Sequence, residues 1–246
     1  MKTRAIEGGF TLVEIAIVLV IIGLLLGGIL KGQELITSAR VRNLADQASG
    51  VQAAYYGFVD RYRAIPGDMR TTQVCGALGN VWDTCPGSGP GGDGDSNIES
   101  FPEAAAVWAH LSESRFLQGS YPGTAPNVGT YTSTMPPTQA PTNPWQGPLL
   151  LARTDNYLQE TGTPAPRLHI ILGRNIPVNV MRELDVKIDD SQPGTGVLRA
   201  PGPGGPDPTD FDTVGREGTT PCVVAGTPDI WNITDASVDC NGYYLF

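Results

Sequence analysis

The sequence predicts an α+β chain in which one long amino-terminal helix leads into a head of short helices, short strands and long loops. Three observations predict it. From Phe10 to Leu30 the chain is apolar except for Thr11 and Glu14, a run that at ~1.5 Å per helical residue covers a hydrocarbon core of ~30 Å. Helical periodicity then continues: Val41, Leu44, Ala48, Val51, Tyr55, Phe58 and Tyr62 recur at steps of three and four, while Arg40, Arg42, Asp46, Asp60 and Arg61 fall off that stripe. Beyond Pro66, short apolar runs of strand character alternate with stretches rich in Gly, Pro and Thr.

The flanks of the first helix carry direction. Lys2 and Arg4 precede the apolar run, which under the positive-inside rule holds the amino terminus in the cytoplasm and sends the rest outward. A secretory signal is cut behind its apolar segment at a small-residue site. Here Gly32-Gln33-Glu34-Leu35-Ile36 continues into helix-forming sequence, and the small pair Gly8-Gly9 stands before the run instead. The helix should end near Ala64, because Pro66 pushes Ile65 out of helical geometry. Gly23 with Gly27 and Gly28 with Gly32 each form G-x-x-x-G, which permits close helix approach in a membrane and weakens the helix by ~1 kcal/mol per glycine relative to alanine. The sequence leaves open which effect matters.

The head follows in order. Ser100-Phe101-Pro102-Glu103 has the pattern of a capping box with a first-turn proline, opening a helix to about Leu117 with Gly119 as its stop. Residues 120–148 form a long loop. Leu149 to Ala152 and Leu168 to Leu172 have strand character, and Pro177 to Ile188 suits a helix with Val178, Met181, Leu184 and Ile188 inward. Short strands are expected near Gly196 to Arg199, Val223 to Ala225, Ile230 to Ile233 and Tyr243 to Phe246, with a loop from Pro201 to Pro208. No internal repeat is evident.

By spacing, the four cysteines fall into two local pairs, Cys75 with Cys85 and Cys222 with Cys240, although four cysteines permit three connectivities. An exported head is a compartment in which disulfides persist. Calcium is the one cofactor for which the sequence offers a candidate: Asp93, Asp95 and Asn97 copy the D-x-D-x-N opening of an EF-hand loop. Ile98 and Ala104 stand where that loop needs Gly and Glu, and Asp-Gly segments also make plain turns. Asp189 and Asp190, in the turn leaving the 177–188 helix, read as capping and turning residues. The chain lacks G-x-S-x-G, H-E-x-x-H and Walker signatures, and His169 in its apolar run reads as a packed core histidine. No enzyme is expected. With 16 basic against 25 acidic residues and a net charge of −9, the chain is not expected to bind nucleic acid electrostatically.

The order Gly9-Phe10-Thr11-Leu12-Val13-Glu14, behind a short basic leader and ahead of an unbroken apolar run, resembles a type IV prepilin, the precursor class of type IV pili and type II secretion pseudopilins. Glu7 departs from the usual basic leader. The resemblance implies a leader at residues 1–9, cleavage by a prepilin peptidase between Gly9 and Phe10, N-methylation of Phe10, and Glu14 as the acid required for assembly. It further implies a transmembrane half of the long helix at 10–30, a head-packing half at 31–64, and a pilin-like globular head at 65–246 built on an antiparallel sheet. The implied partners are other pilin or pseudopilin subunits, the peptidase and methyltransferase, an inner-membrane assembly platform, and inner-membrane lipid before assembly. Such a chain crosses the bacterial inner membrane once with its head periplasmic, then enters a periplasmic pseudopilus or an extracellular pilus. The large head and long loops favour a minor or specialised subunit. The Cys222 to Cys240 loop is similar to the disulfide-bounded region that carries adhesion in type IV pilins, so the alternative is a filament-presented adhesin or ligand-binding tip module.

The resemblance also supplies a physical reason for Glu14. A carboxylate within a membrane helix costs several kcal/mol and normally finds a partner. Cleavage creates one, because the freed Phe10 amine is a cation at neutral pH. If each Glu14 meets the amine of a neighbouring subunit, both charges are compensated and the axial stagger is fixed. The competing reading has Glu14 close enough to the membrane surface to reach water.

Overall fold

The computed structural model describes residues 12–79, 82–85, 87–124, 137–202, 222–234 and 237–246. Helix α1 runs Leu12–Tyr62. The chain divides into two compact units, one ending at Arg40 and the other spanning Val41–Phe246.

In the second unit, α1 buries Val41, Leu44, Ala48, Val51, Ala54, Tyr55 and Phe58, the stripe read from the sequence with Ala54 added and Tyr62 only half-buried. Arg63 ends the helix: it sits at φ 54°, and its N–H donates to Val59 O at 2.9 Å, an αL cap that stops the helix at Tyr62, ahead of the expected Ala64. Helix α2 (Thr71–Leu78) was not legible in the sequence. Its two adjacent threonines and Gly76 make a poor helix in isolation, and Val74, fully buried, fixes it to the core together with Cys75.

Helix α3 spans Phe101–Glu113, stopping short of the expected Leu117. The reason lies in its exit. Arg115 takes φ 65°, its N–H donates to Ser112 O at 3.0 Å, and Phe116 N–H donates to Leu111 O at 3.0 Å, which is a Schellman motif with arginine where glycine is usual. At its start, Ser100 Oγ accepts from Glu103 N–H at 3.4 Å, whereas the Glu103 carboxylate accepts from Glu99 N–H at 3.0 Å. The box is therefore displaced by one residue from the expected pairing.

Strands β1 (Leu150–Thr154), β2 (Arg167–Ile171), β3 (Leu198–Arg199) and β6 (Tyr243–Leu245) form a four-stranded antiparallel sheet in the order β1-β2-β6-β3. Strands β4 (Val223–Val224) and β5 (Ile230–Trp231) form a separate antiparallel pair. Helix α4 (Val178–Ile188) buries Val178, Val180, Met181, Leu184 and, unexpectedly, Asp185, while Ile188 is only half-buried. The fold is α+β. One core joins the buried stripe of α1 to Trp108 and Leu111 of α3, to the sheet, and to Trp231.

Candidate functional site

Two acidic turns lie among the described residues of the head. In the first, Asp68 is buried and its two carboxylate oxygens accept from Gly94 N–H at 2.8 Å and Ser96 N–H at 2.7 Å. Asp93 accepts from Asp95 N–H, and Asp95 accepts from the backbone and side-chain N–H groups of Asn97 at 2.8 and 2.9 Å. The Asn97 side-chain oxygen Oδ1 accepts from the Arg153 guanidinium. Asp68, Asp93 and Asp95 bring one oxygen each within 4.8 Å of the others; Asn97 instead joins the loop to β1 through Arg153. These bonds make the segment an Asx-stabilised turn anchored by a buried aspartate.

The second turn leaves α4. Asp189 accepts from Val197 N–H and, at 2.8 Å, from Leu198 N–H, while Asp190 accepts from Gln192 N–H at 3.0 Å and from the Thr195 hydroxyl. Asp185 accepts from the Trp231 indole at 2.6 Å and from Ser191 N–H at 3.2 Å. Burial pushes its carboxyl up to about 6, opposed by the Trp231 bond and reinforced by the nearby Asp189. Asp185 was missed because it breaks the apolar pattern; its position four residues beyond Met181 places it on the inward stripe.

Both histidines are core residues. His169 bridges Arg167 O at 2.8 Å and the Thr154 hydroxyl at 3.4 Å. His110 accepts from Gly67 N–H on Nδ1 at 2.9 Å, so its Nε2–H donates to Pro90 O at 2.6 Å, and its ring stacks on Phe58 at 5.9 Å. Burial lowers each to about 4. Trp82 and Trp145 are partly buried against the core.

Cys75 pairs with Cys85 and Cys222 with Cys240. The second bridge encloses the β4–β5 pair, whose Trp231 faces inward while Val224 and Ile230, cross-strand neighbours, stay exposed. Arg174 and Asp239 form an ion pair at 2.8 Å beside that bridge.

The amino-terminal unit has different chemistry. Every large apolar side chain from Leu12 to Leu30 is between 46% and 85% exposed, and the helix is long and apolar enough there to cross a membrane. Glu14 lies in its first turn, where a carboxylate also interacts favourably with the helix dipole. At Gly23, Gly27, Gly28 and Gly32 an added Cβ would meet nothing within 4 Å, so no contact inside the described chain demands glycine. Residues 4–30 match the family model for the prokaryotic N-terminal methylation motif.

This chain carries the methylation motif, the class of signal found on type IV pilins and pseudopilins. The motif implies processing by a prepilin peptidase and assembly with other pilin-type subunits, and together with the apolar helix it fits a membrane-anchored pilin. The match covers a small part of the 246 residues. No curated protein and no solved structure matches the chain. Of the residues the motif concerns, Gly9 and Phe10 lie outside the described residues, and Glu14 is on α1.

Proposed function

We propose that the chain is a structural subunit, of minor or specialised type, of a type IV pilus or a type II secretion pseudopilus. The observation that carries this reading is the methylation motif running without a break into a helix whose apolar side chains from Leu12 to Leu30 are all exposed. Such a surface has a place in a bilayer or in a bundle of like helices, and none in water.

In this reading residues 1–9 are the leader, the cut falls between Gly9 and Phe10, and Phe10 is methylated. Residues 10–30 span the inner membrane, residues 31–64 carry the helix into the head, and residues 65–246 complete the head in the periplasm. On assembly the apolar segment leaves lipid for the filament core, and Glu14 meets the Phe10 amine of a neighbour. A charge pair in a low-dielectric bundle tolerates the loss of neither member. The head contributes a disulfide-braced surface, and the function needs no catalytic group. Shearing and pelleting surface filaments, or crosslinking membrane pseudopili, should recover the chain with other pilin-type subunits. Recovery as an isolated membrane monomer under conditions that assemble filaments would contradict the proposal.

A further inference from the structure

A cleft of about 530 Å³ opens between α1, the chain leaving α3 and the segment 141–149. Helix α1 lines it with Gln47, Gly50 and Val51. Phe116 and Leu117 N–H both donate to Leu111 O at 3.0 Å, which fixes the wall that follows α3. The remaining wall is a tight hairpin, in which Asn143 N–H donates to Gly147 O and Leu149 N–H to Pro141 O, each at 2.8 Å. Asn143 Oδ1 closes its turn by accepting from Trp145 and Gly147 N–H at 2.7 and 3.0 Å. These backbone bonds hold the walls in place before any ligand arrives, so little ordering is left for binding to accomplish.

The lining is part aliphatic and wholly uncharged. Val51 and Leu149 are buried, and Phe116, Leu117 and Tyr121 are half-buried around them. The polar side chains are Gln47, Gln118, Thr142 and Tyr121, and no lining residue carries a charge. One polar atom stands out. Gln47 Nε2–H donates to Thr142 O at 3.1 Å, so the amide cannot turn over without setting oxygen against oxygen. Gln47 Oε1 is therefore held as an acceptor, and it is buried with no hydrogen-bond partner among the described residues. A buried acceptor left in this way is costly, and a ligand that supplies a donor removes the cost. Gly50 leaves the helix surface bare at the cleft: an added Cβ would meet nothing within 4 Å.

A cleft of this size without charge is a poor site for phosphates, nucleotides or metal ions, whose desolvation demands charged or converging polar partners. Its apolar lining is mostly aliphatic, from Val51, Leu117, Pro141 and Leu149, and Phe116 is engaged against Gly57 and edge-on to Phe58. Branched side chains fit such a lining better than a stacked sugar ring does.

We propose that the cleft binds a neutral, extended segment of another protein, with an aliphatic or aromatic side chain set against Val51 and Leu149 and a main-chain N–H donated to Gln47 Oε1. An extended peptide alternates apolar side chains with main-chain donors, which is the combination this lining accepts. The site stands apart from the filament-subunit reading, which bears only on where such a partner is met.

The test uses the detergent-solubilised full chain and end-capped glycine pentapeptides with a central leucine, phenylalanine, aspartate or lysine, with maltotriose as the sugar probe. Saturation-transfer NMR should show saturable binding of the leucine or phenylalanine peptide, and binding weaker by roughly tenfold or more for the charged ones, whose charge the neutral cleft cannot compensate. Gly50→Leu, which fills the cleft from α1, should abolish peptide binding while leaving the unfolding midpoint in place, and Gln47→Met, which removes the acceptor, should weaken it severalfold. Comparing variants in one detergent subtracts any uptake by micelles. Absence of saturable peptide binding, equal binding by the wild type and both variants, or preference for the charged peptides or for maltotriose overturns the proposal. Binding is read on the purified chain and assembly on pelleted filaments, so failure of the site and failure of the filament reading are distinguishable.

Discussion

The two ends of α1 are both apolar and have opposite fates. From Leu12 to Leu30 apolar side chains surround the helix and all the large ones are exposed, whereas from Val41 to Phe58 they form one stripe and that stripe is buried. Hydrophobic content alone does not separate the two. What does is arrangement: an apolar perimeter has no single face to bury against a domain and calls for an apolar solvent or identical neighbours, while a stripe with Arg42 and Asp60 behind it suits one packed interface and water.

The comparison breaks most visibly at Glu14, the one acid inside the apolar perimeter. Glu14→Ala should leave membrane insertion intact, since a costly charge is removed, and cleavage after Gly9 intact, since the junction is untouched. Filament incorporation should fall roughly a hundredfold or more, as a buried amine without its partner costs several kcal/mol. Glu14→Gln, which keeps shape but not charge, should fall in the same direction. Quantifying both variants in sheared filaments checks this; wild-type incorporation of both would mean the acid is tolerated and not used.

A paired substitution sharpens the contrast between stripe and perimeter. Phe58→Ala removes a fully buried ring that contacts Tyr62 and His110, and should cost the head ~3–5 kcal/mol. Leu19→Ala, on an exposed position, should change head stability by less than ~0.5 kcal/mol. Denaturant unfolding of the detergent-solubilised full chain, followed by tryptophan fluorescence, reads both. Similar losses would erase the distinction.

Legibility in the sequence followed the same divide. Residues 10–62 speak through periodicity and through one charge in an apolar field, signals that need no tertiary information. The strands at 150–154, 167–171 and 243–245 were also visible as short apolar runs, but their order was not, because nothing local tells the last strand to enter between two earlier ones. Helix α2 was silent since the core and a disulfide hold it in place of propensity. Asp68 and Asp185 were invisible as anchors, because an aspartate that is buried by its partners looks in sequence like any surface acid. The 93–97 motif named Asn97 beside Asp93 and Asp95, while folding turned Asn97 to Arg153 and brought Asp68 in from another loop.

The head's own braces give a smaller effect. Replacing Cys222 and Cys240 by serine should cost about 3 kcal/mol, by the loop-entropy model, and increase proteolysis around β4 and β5 before the rest of the head. Non-reducing peptide mapping with unfolding curves checks it; unchanged stability would mean that Asp185, Trp231 and the Arg174–Asp239 pair hold the loop by themselves.

Acid acts on the head in a graded way. His110 and His169 are lowered by burial from 6.5 to about 4, so the unfolded chain binds more protons between those values. Their contribution is complete above pH 6.5 and is lost as pH falls toward 4. Asp185, raised from 3.8 to about 6, works in the opposite sense over nearly the same window, since there the folded chain binds the extra proton. Two histidines against one aspartate leave a net loss on acidification, about 3 kcal/mol between pH 7 and pH 4. Unfolding midpoints across that range should show it, and Asp185→Asn should steepen the fall by removing the offset. A flat profile in both proteins would contradict the burial of the two neutral rings.

The amino terminus of the mature protein tests the central claim most directly. Intact mass and amino-terminal sequencing of the chain extracted from membranes should show a polypeptide beginning at Phe10, lacking residues 1–9 and carrying one added methyl group on its terminal amine. A chain that still begins at Met1, or one cut beyond Leu30 with the apolar helix removed, would contradict the account.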